Sequence, residues 1–164
     1  MQPAKKTELG VGYSVSFTRH LAAPRALVFK LWTDPKHLAK WWGPAGFTNP
    51  VCEFDARVGG RIYIDMTGPD GTVYPMHGTV EEILPPERLV LRCTCCGDES
   101  GNPGLESVTT VTFHEEAGHA GAGGTRMELE ARVTKMKDFA ADALAGMEQG
   151  WSETLDRLAE LAKQ

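Results

Sequence analysis

The stretch Thr125-Arg126-Met127-Glu128-Leu129-Glu130-Ala131-Arg132-Val133 alternates apolar and charged residues with a strict period of two. Successive side chains of a strand point to opposite faces, so Met127, Leu129, Ala131 and Val133 face a core and the four charged residues face water. Weaker alternation or β-rich runs occur at 14–20, 47–54, 61–66, 73–83, 89–95 and 107–113, which brings the candidate strands to about seven. Turn residues divide most of them: Gly59-Gly60, Gly68-Pro69-Asp70-Gly71, Pro85-Pro86 and the glycine-rich run Gly118 to Gly124. These connections are too short for crossover helices, so the strands are read as antiparallel neighbours.

From about Asp138 the period changes. Leu144, Met147, Trp151, Leu155, Leu158 and Ala162 step by three or four, with Glu148, Glu153, Asp156, Arg157 and Glu160 elsewhere on the wheel. That pattern predicts a long amphipathic helix whose apolar face packs on the sheet. A shorter helix is expected from Pro24 to Trp32, because Pro suits a first helical turn. Thr33-Asp34-Pro35 then ends it and starts another that closes near Trp41.

The chain has 164 residues, enough for a single domain to bury roughly 70% of the surface its unfolded form exposes. We divide it into an N-terminal arm, 1–13, and one domain, 14–164. Seventeen Lys and Arg against 22 Asp and Glu leave a net charge of −5 with no long run of one sign, which disfavours a nucleic-acid partner. No apolar stretch follows Lys5-Lys6, so neither a signal peptide nor a membrane span is expected, and a cytoplasmic location is. The four cysteines, Cys52, Cys93, Cys95 and Cys96, are too few and too clustered for a disulfide framework and are read as reduced thiols.

Several uncommon words occur in one order: Arg19-His20-Leu21-Ala22-Ala23-Pro24-Arg25, Leu31-Trp32-Thr33-Asp34-Pro35, Trp41-Trp42-Gly43-Pro44-Ala45-Gly46-Phe47-Thr48, Phe54-Asp55-Ala56-Arg57-Val58-Gly59-Gly60, Pro85-Pro86-Glu87-Arg88-Leu89-Val90, and Gly150-Trp151. Over nearly the whole chain they resemble domains similar to the C-terminal domain of the activator of Hsp90 ATPase, within the START/Bet v 1-like superfamily. The resemblance implies an α+β helix-grip fold: a curved antiparallel sheet wrapped on a long C-terminal helix, two short helices after the first strand, and an apolar cavity between. It says little about chemistry, because a fold does not specify a function.

The expected role is binding of a small hydrophobic or aromatic ligand. The candidate lining residues are Trp32, Leu144, Met147 and Trp151 from helices, Trp42 and Phe47 from the loop, and Ile64, Tyr74, Met76, His77, Leu91, Phe113 and Met127 from strands. A mostly apolar cavity with a few polar atoms is what such a ligand requires. The plainer alternative for each ring and methionine, Met66 included, is that it fills the core. Gly150 inside the last helix suggests close approach of a strand or ligand, with a simple packing contact as the plainer explanation.

Catalysis finds less support. His77 with Tyr74 nearby could serve as acid or base in a cavity-based cyclase or hydrolase, but an ordinary surface histidine explains His77 as well. There is no Gly-x-Ser-x-Gly elbow and no triad, and Asp55, Arg57 and Arg61 read as surface ion pairs, so no catalytic residue is assigned. Cys93-Thr94-Cys95-Cys96 with His114 or His119 invites a zinc reading. However, strand parity sends Cys96 away from Cys93 and Cys95, and no second ligand pair completes a tetrahedral site. We therefore expect no metal and no cofactor, and take the cysteines as small buried hydrophobes. The glycine-rich run from Gly118 is a hairpin, since no helix follows it to gather amides around a phosphate. A homodimer and a chaperone contact, as in a co-chaperone-like stress-response protein, stay open as partners.

Overall fold

Among the described residues of the computed structural model, which are 10–98, 100, 102–117 and 123–163, seven strands form one antiparallel sheet. In chain order they are β1 (Ser14–Leu21), β2 (Cys52–Phe54), β3 (Arg61–Thr67), β4 (Val73–Leu84), β5 (Arg88–Cys95), β6 (Leu105–Ala117) and β7 (Gly123–Met136). The spatial order is β1-β7-β6-β5-β4-β3-β2. From β2 to β7 the chain is a meander, and β1 pairs with β7 from Ser14 opposite Arg132 to Leu21 opposite Thr125. Two helices, α1 (Arg25–Thr33) and α2 (Pro35–Trp41), carry the chain from one sheet edge to the other. After β7 come a 3-10 turn (Asp138–Ala140), α3 (Ala141–Ala145) and α4 (Met147–Ala162). This is the helix-grip arrangement.

The α1–α2 corner shows how local chemistry positions the aromatic residues. Asp34 caps α2 by accepting from the Lys36 amide at 2.9 Å. Pro35 lacks the N–H that would bond the Leu31 carbonyl four residues back. Trp41 supplies that missing donor, its Nε1–H reaching the Leu31 oxygen at 2.9 Å. The two indoles then meet edge to face, Trp32 and Trp41 having centroids 4.7 Å apart.

The predicted face of the last helix is the one that packs: Leu155 and Leu158 are fully buried, Met147 and Ala162 nearly so, and Trp151 is half-buried. At the β1 side, Arg19 bonds Ser152 at 3.4 Å and pairs with Asp156 at 3.8 Å.

Two elements differ from expectation. The predicted second strand, 47–54, shortens to Cys52–Phe54, with Thr48 making only an isolated bridge to Thr67. Pro50 can donate nothing to a ladder there. The single long helix expected from Asp138 is broken at Gly146, separating α3 from α4. The N-terminal arm up to residue 9 and the hairpin residues 118–122, with His119, lie outside the described residues. Among the described residues no helix is long and apolar enough to cross a membrane.

Candidate functional site

A size gradient along the concave face of the sheet creates the site. On β5 the inward residues run Leu89, Leu91, Cys93, Cys95, and on β6 they run Val111, Thr109, Ser107, Leu105 at the opposed positions. On β4, Gly78 stands opposite Cys93. One end carries leucine and valine, while the middle carries cysteine, serine, threonine and glycine. Interiors otherwise pack densely, so missing side-chain volume over three adjacent strands leaves a void. The void is a cavity of about 390 Å³, open on one side.

The helical wall is α3 and α4, contributing Ala143, Met147, Gly150, Trp151 and Thr154. Trp42, Gly43, Pro44 and Phe47 form the end wall, and Met66, Tyr74 and Met76 line it from β3 and β4. Gly43 turns the wall inward with φ +92°, a left-handed value, and a Cβ there would sit 3.1 Å from that of Phe47. Phe47 and Tyr74 lie 5.9 Å apart, and Tyr74 is 43% exposed at the mouth. Polar atoms are sparse: Ser107, Thr109 and Asp142, and Thr154, whose hydroxyl is spent on the Gly150 carbonyl at 2.7 Å.

Four tryptophans form a continuous cluster behind and into this wall. Trp151 lies 5.5 Å from Trp42, near perpendicular, and 6.4 Å from Trp32, near parallel. The Trp32 Nε1–H points to the Met127 sulfur at 3.4 Å. The Nε1–H of Trp42, a residue 8% exposed, is buried with no hydrogen-bond partner among the described residues.

Arg157 holds the end wall. Its Nη1 donates to the carbonyls of Trp42 at 2.9 Å, Gly43 at 2.8 Å and Pro44 at 3.1 Å, and Nη2 donates to Lys40 at 3.2 Å. Burial lowers its pKa from the usual guanidinium range. Asn49 closes the same loop, its amide donating to Ala39 and Trp42. Neither residue was legible as functional, because only folding brings α4 against the loop.

The structure sorts the expected lining residues into three groups. Trp42, Phe47, Tyr74, Met76, Met147 and Trp151 line the cavity together, as does Met66. Trp32, Ile64, Leu91, Phe113, Met127 and Leu144 are buried core outside its lining. Phe113, for example, packs edge to face on Phe29 at 5.4 Å. His77 is exposed on the other face of β4, its ring 4.9 Å from Tyr63. Tyr74 and Met76 share a face by parity and His77 does not, so the His77–Tyr74 pair is not assembled.

The cysteines are where sequence reading missed most. Cys93, Cys95 and Cys96 all line the cavity, and each is only part-buried. Parity sends Cys96 outward, but β5 ends at Cys95 and Cys96 takes φ 61°, a left-handed turn that leaves it in the cavity lining with Cys95. Burial pushes the Cys93 thiol up to about 12 and Cys52 to about 11. The hydrogen bond between the neighbouring sulfurs raises Cys95 and lowers Cys96. Among the described residues no group of three or more His, Cys, Asp or Glu side chains is arranged to hold a metal ion. The signal available in the sequence was the small inward residues at 93, 95, 107 and 109.

The comparisons agree with the fold. The family model described as "Activator of Hsp90 ATPase homolog 1-like protein" matches residues 22–163. A solution structure from Arthrobacter aurescens is 27% identical, covers 98% of this chain and 90% of its own, and superposes with a TM-score of 0.74. The AHSA1 protein from Silicibacter pomeroyi is also 27% identical, with coverage of 92% and 98% and a TM-score of 0.72. A protein from Nitrosomonas europaea is 25% identical, with coverage of 92% and 94% and a TM-score of 0.73. No match was found among curated proteins.

Proposed function

The chain belongs to the family of activator of Hsp90 ATPase homolog 1-like proteins, and from that premise we propose that it binds a small apolar or aromatic molecule between its sheet and its last helix. The observation that carries this reading is the cavity of about 390 Å³ walled by indole, phenyl, thioether and thiol groups. Its size falls within the range of about 300–1,000 Å³ typical of small-molecule sites. Thr109, Ser107, Asp142 and Tyr74 bring polar side-chain atoms to its lining, enough to orient a ligand bearing one or two polar atoms.

The tryptophans report occupancy directly, since Trp42 and Trp151 stand in the wall. A ligand at about 100 times its Kd stabilises the folded state by about 2.7 kcal/mol. For a chain of this size that raises Tm by about 5–10 °C. The expected result is a shift in tryptophan fluorescence together with this rise for at least one member of a panel of apolar and aromatic compounds. Both responses should be lost in Ser107→Leu, which fills the cavity. A panel that moves neither quantity overturns the reading.

His77 is exposed on the other face of β4, which leaves Tyr74, in the cavity lining, as the candidate acid or base of a cyclase or hydrolase reading. Contact with a chaperone draws its support from the family name and from no residue of the site.

A further inference from the structure

The sulfur-lined corner of the cavity has a chemistry that simple binding does not use. Cys93, Cys95 and Cys96 place three thiols on the wall of an otherwise apolar space. Cys96 is, among the described residues, the one non-glycine residue with φ in the left-handed region. That conformation is unfavourable for an L-residue and persists only where the surroundings impose it. Here they do: the Gly104 amide bonds the Cys95 carbonyl at 3.1 Å, and a Cβ on Gly104 would strike the Cys96 carbonyl oxygen. The consequence of the turn is that two adjacent cysteines, whose side chains a regular strand would send apart, line the same cavity.

We propose that this corner captures apolar soft electrophiles of the α,β-unsaturated carbonyl class, with Cys96 as the nucleophile and Cys95 as the proton donor. The proposal rests on the cavity-binding reading, since the cavity is what concentrates and orients the electrophile. In the reaction Cys96 first gives its proton to solvent. A sulfur lone pair then forms the C–S bond at the β-carbon as the C=C π bond breaks, and its electron pair moves toward the carbonyl as an enolate. The enolate carbon takes the S–H proton of Cys95, which water restores. The net change is addition of one thiol across one double bond, with nothing oxidised. The S–H···S hydrogen bond favours the thiolate of Cys96, in the direction the reaction needs. Cys93, held up to about 12 by burial, stays a thiol and acts as wall.

The test uses the full chain with benzylideneacetone and its saturated analogue benzylacetone, which has the same shape and no electrophilic carbon. Intact mass and peptide mapping should find one adduct, on Cys96. It should form at least about tenfold faster than on N-acetylcysteine at the same pH and be slowed by excess benzylacetone. Cys95→Ala should slow it about tenfold, as loss of a hydrogen bond to a charged group predicts, and Cys96→Ser, checked as folded by circular dichroism, should abolish it. An adduct on other residues, a rate on Cys96 no faster than on the free thiol, or indifference to Cys95→Ala overturns the proposal. If benzylacetone shifts tryptophan fluorescence and Tm while Cys96 stays unmodified, this inference fails and the cavity reading stands. If benzylacetone moves neither quantity and Cys96 is no faster than the free thiol, both fall.

Discussion

The guanidinium of Arg157, one turn from the end of α4, donates from Nη1 to the carbonyl oxygen of Trp42 at 2.9 Å and so ties the last helix to the cavity's end wall. The same nitrogen reaches Gly43 and Pro44, and Nη2 reaches Lys40. Arg157→Ala leaves four carbonyls without this donor. Its expected cost is about 2–3 kcal/mol, or a fall in Tm of about 5–10 °C. Arg157→Lys should recover part of this, because a single ammonium can meet the three carbonyls that Nη1 meets but not that of Lys40 as well. Urea unfolding of the three proteins checks both statements.

Trp41 and Trp42 are adjacent and similarly buried, yet their indole N–H groups differ. That of Trp41 satisfies the Leu31 carbonyl that Pro35 leaves unbonded, whereas that of Trp42 has no partner among the described residues. Trp41→Phe should therefore cost more than Trp42→Phe by about 1–3 kcal/mol, the penalty for stranding a buried polar group. Equal costs in urea unfolding would show that ring volume alone matters.

Gly150 lies within α4, and a Cβ there would meet only Pro44, at 3.8 Å, an ordinary contact. Among the described residues no strand crowds it, which leaves the plain packing contact and the approach of a ligand as the readings of this position. Gly150→Ala should stabilise the fold by about 0.5–1 kcal/mol through helix propensity. Because residue 150 lines the cavity, the added methyl should also weaken the largest ligands that bind. Tm and fluorescence titration read the two effects separately.

Alkaline pH should destabilise the chain through its part-buried thiols. The folded Cys93 thiol sits at about 12 against 9.0 for a free one. Between those values the unfolded state has lost the proton and the folded state retains it, so folding stability falls as pH rises above about 9. Cys93→Ala should flatten that fall by up to about 1.4 kcal/mol per pH unit between about pH 9 and 11, measured as the difference in urea unfolding between the two proteins. Parallel curves would show that Cys93 ionises freely in the folded protein.

Alternation at Met127 to Val133 and helical spacing from Leu144 to Ala162 carried most of the architecture. These periods are local: they depend on backbone geometry and on which side of one element is apolar, and both are written in consecutive residues. The same logic failed at Pro50 and Gly146, where a missing donor and a helix break cut elements that hydropathy alone would have extended.

For the site, the aromatic and thioether side chains at 42, 47, 74, 76, 147 and 151 were readable as wall candidates, but so were six that the core absorbed. Hydrophobicity marks a residue for burial without saying whether a neighbour fills the space beside it. That depends on side-chain volumes summed over β4, β5, β6 and α4, whose mutual register no linear pattern contains.

Cys96 and Arg157 make the division plain. The amino-acid order establishes an antiparallel sheet gripped by an amphipathic helix, since each element's period follows from its own residues. Folding alone turns Cys96 through a left-handed φ to stand beside Cys95, and brings Arg157 across 115 positions to the Trp42 carbonyl, because contacts between distant segments exist only once those segments share a space.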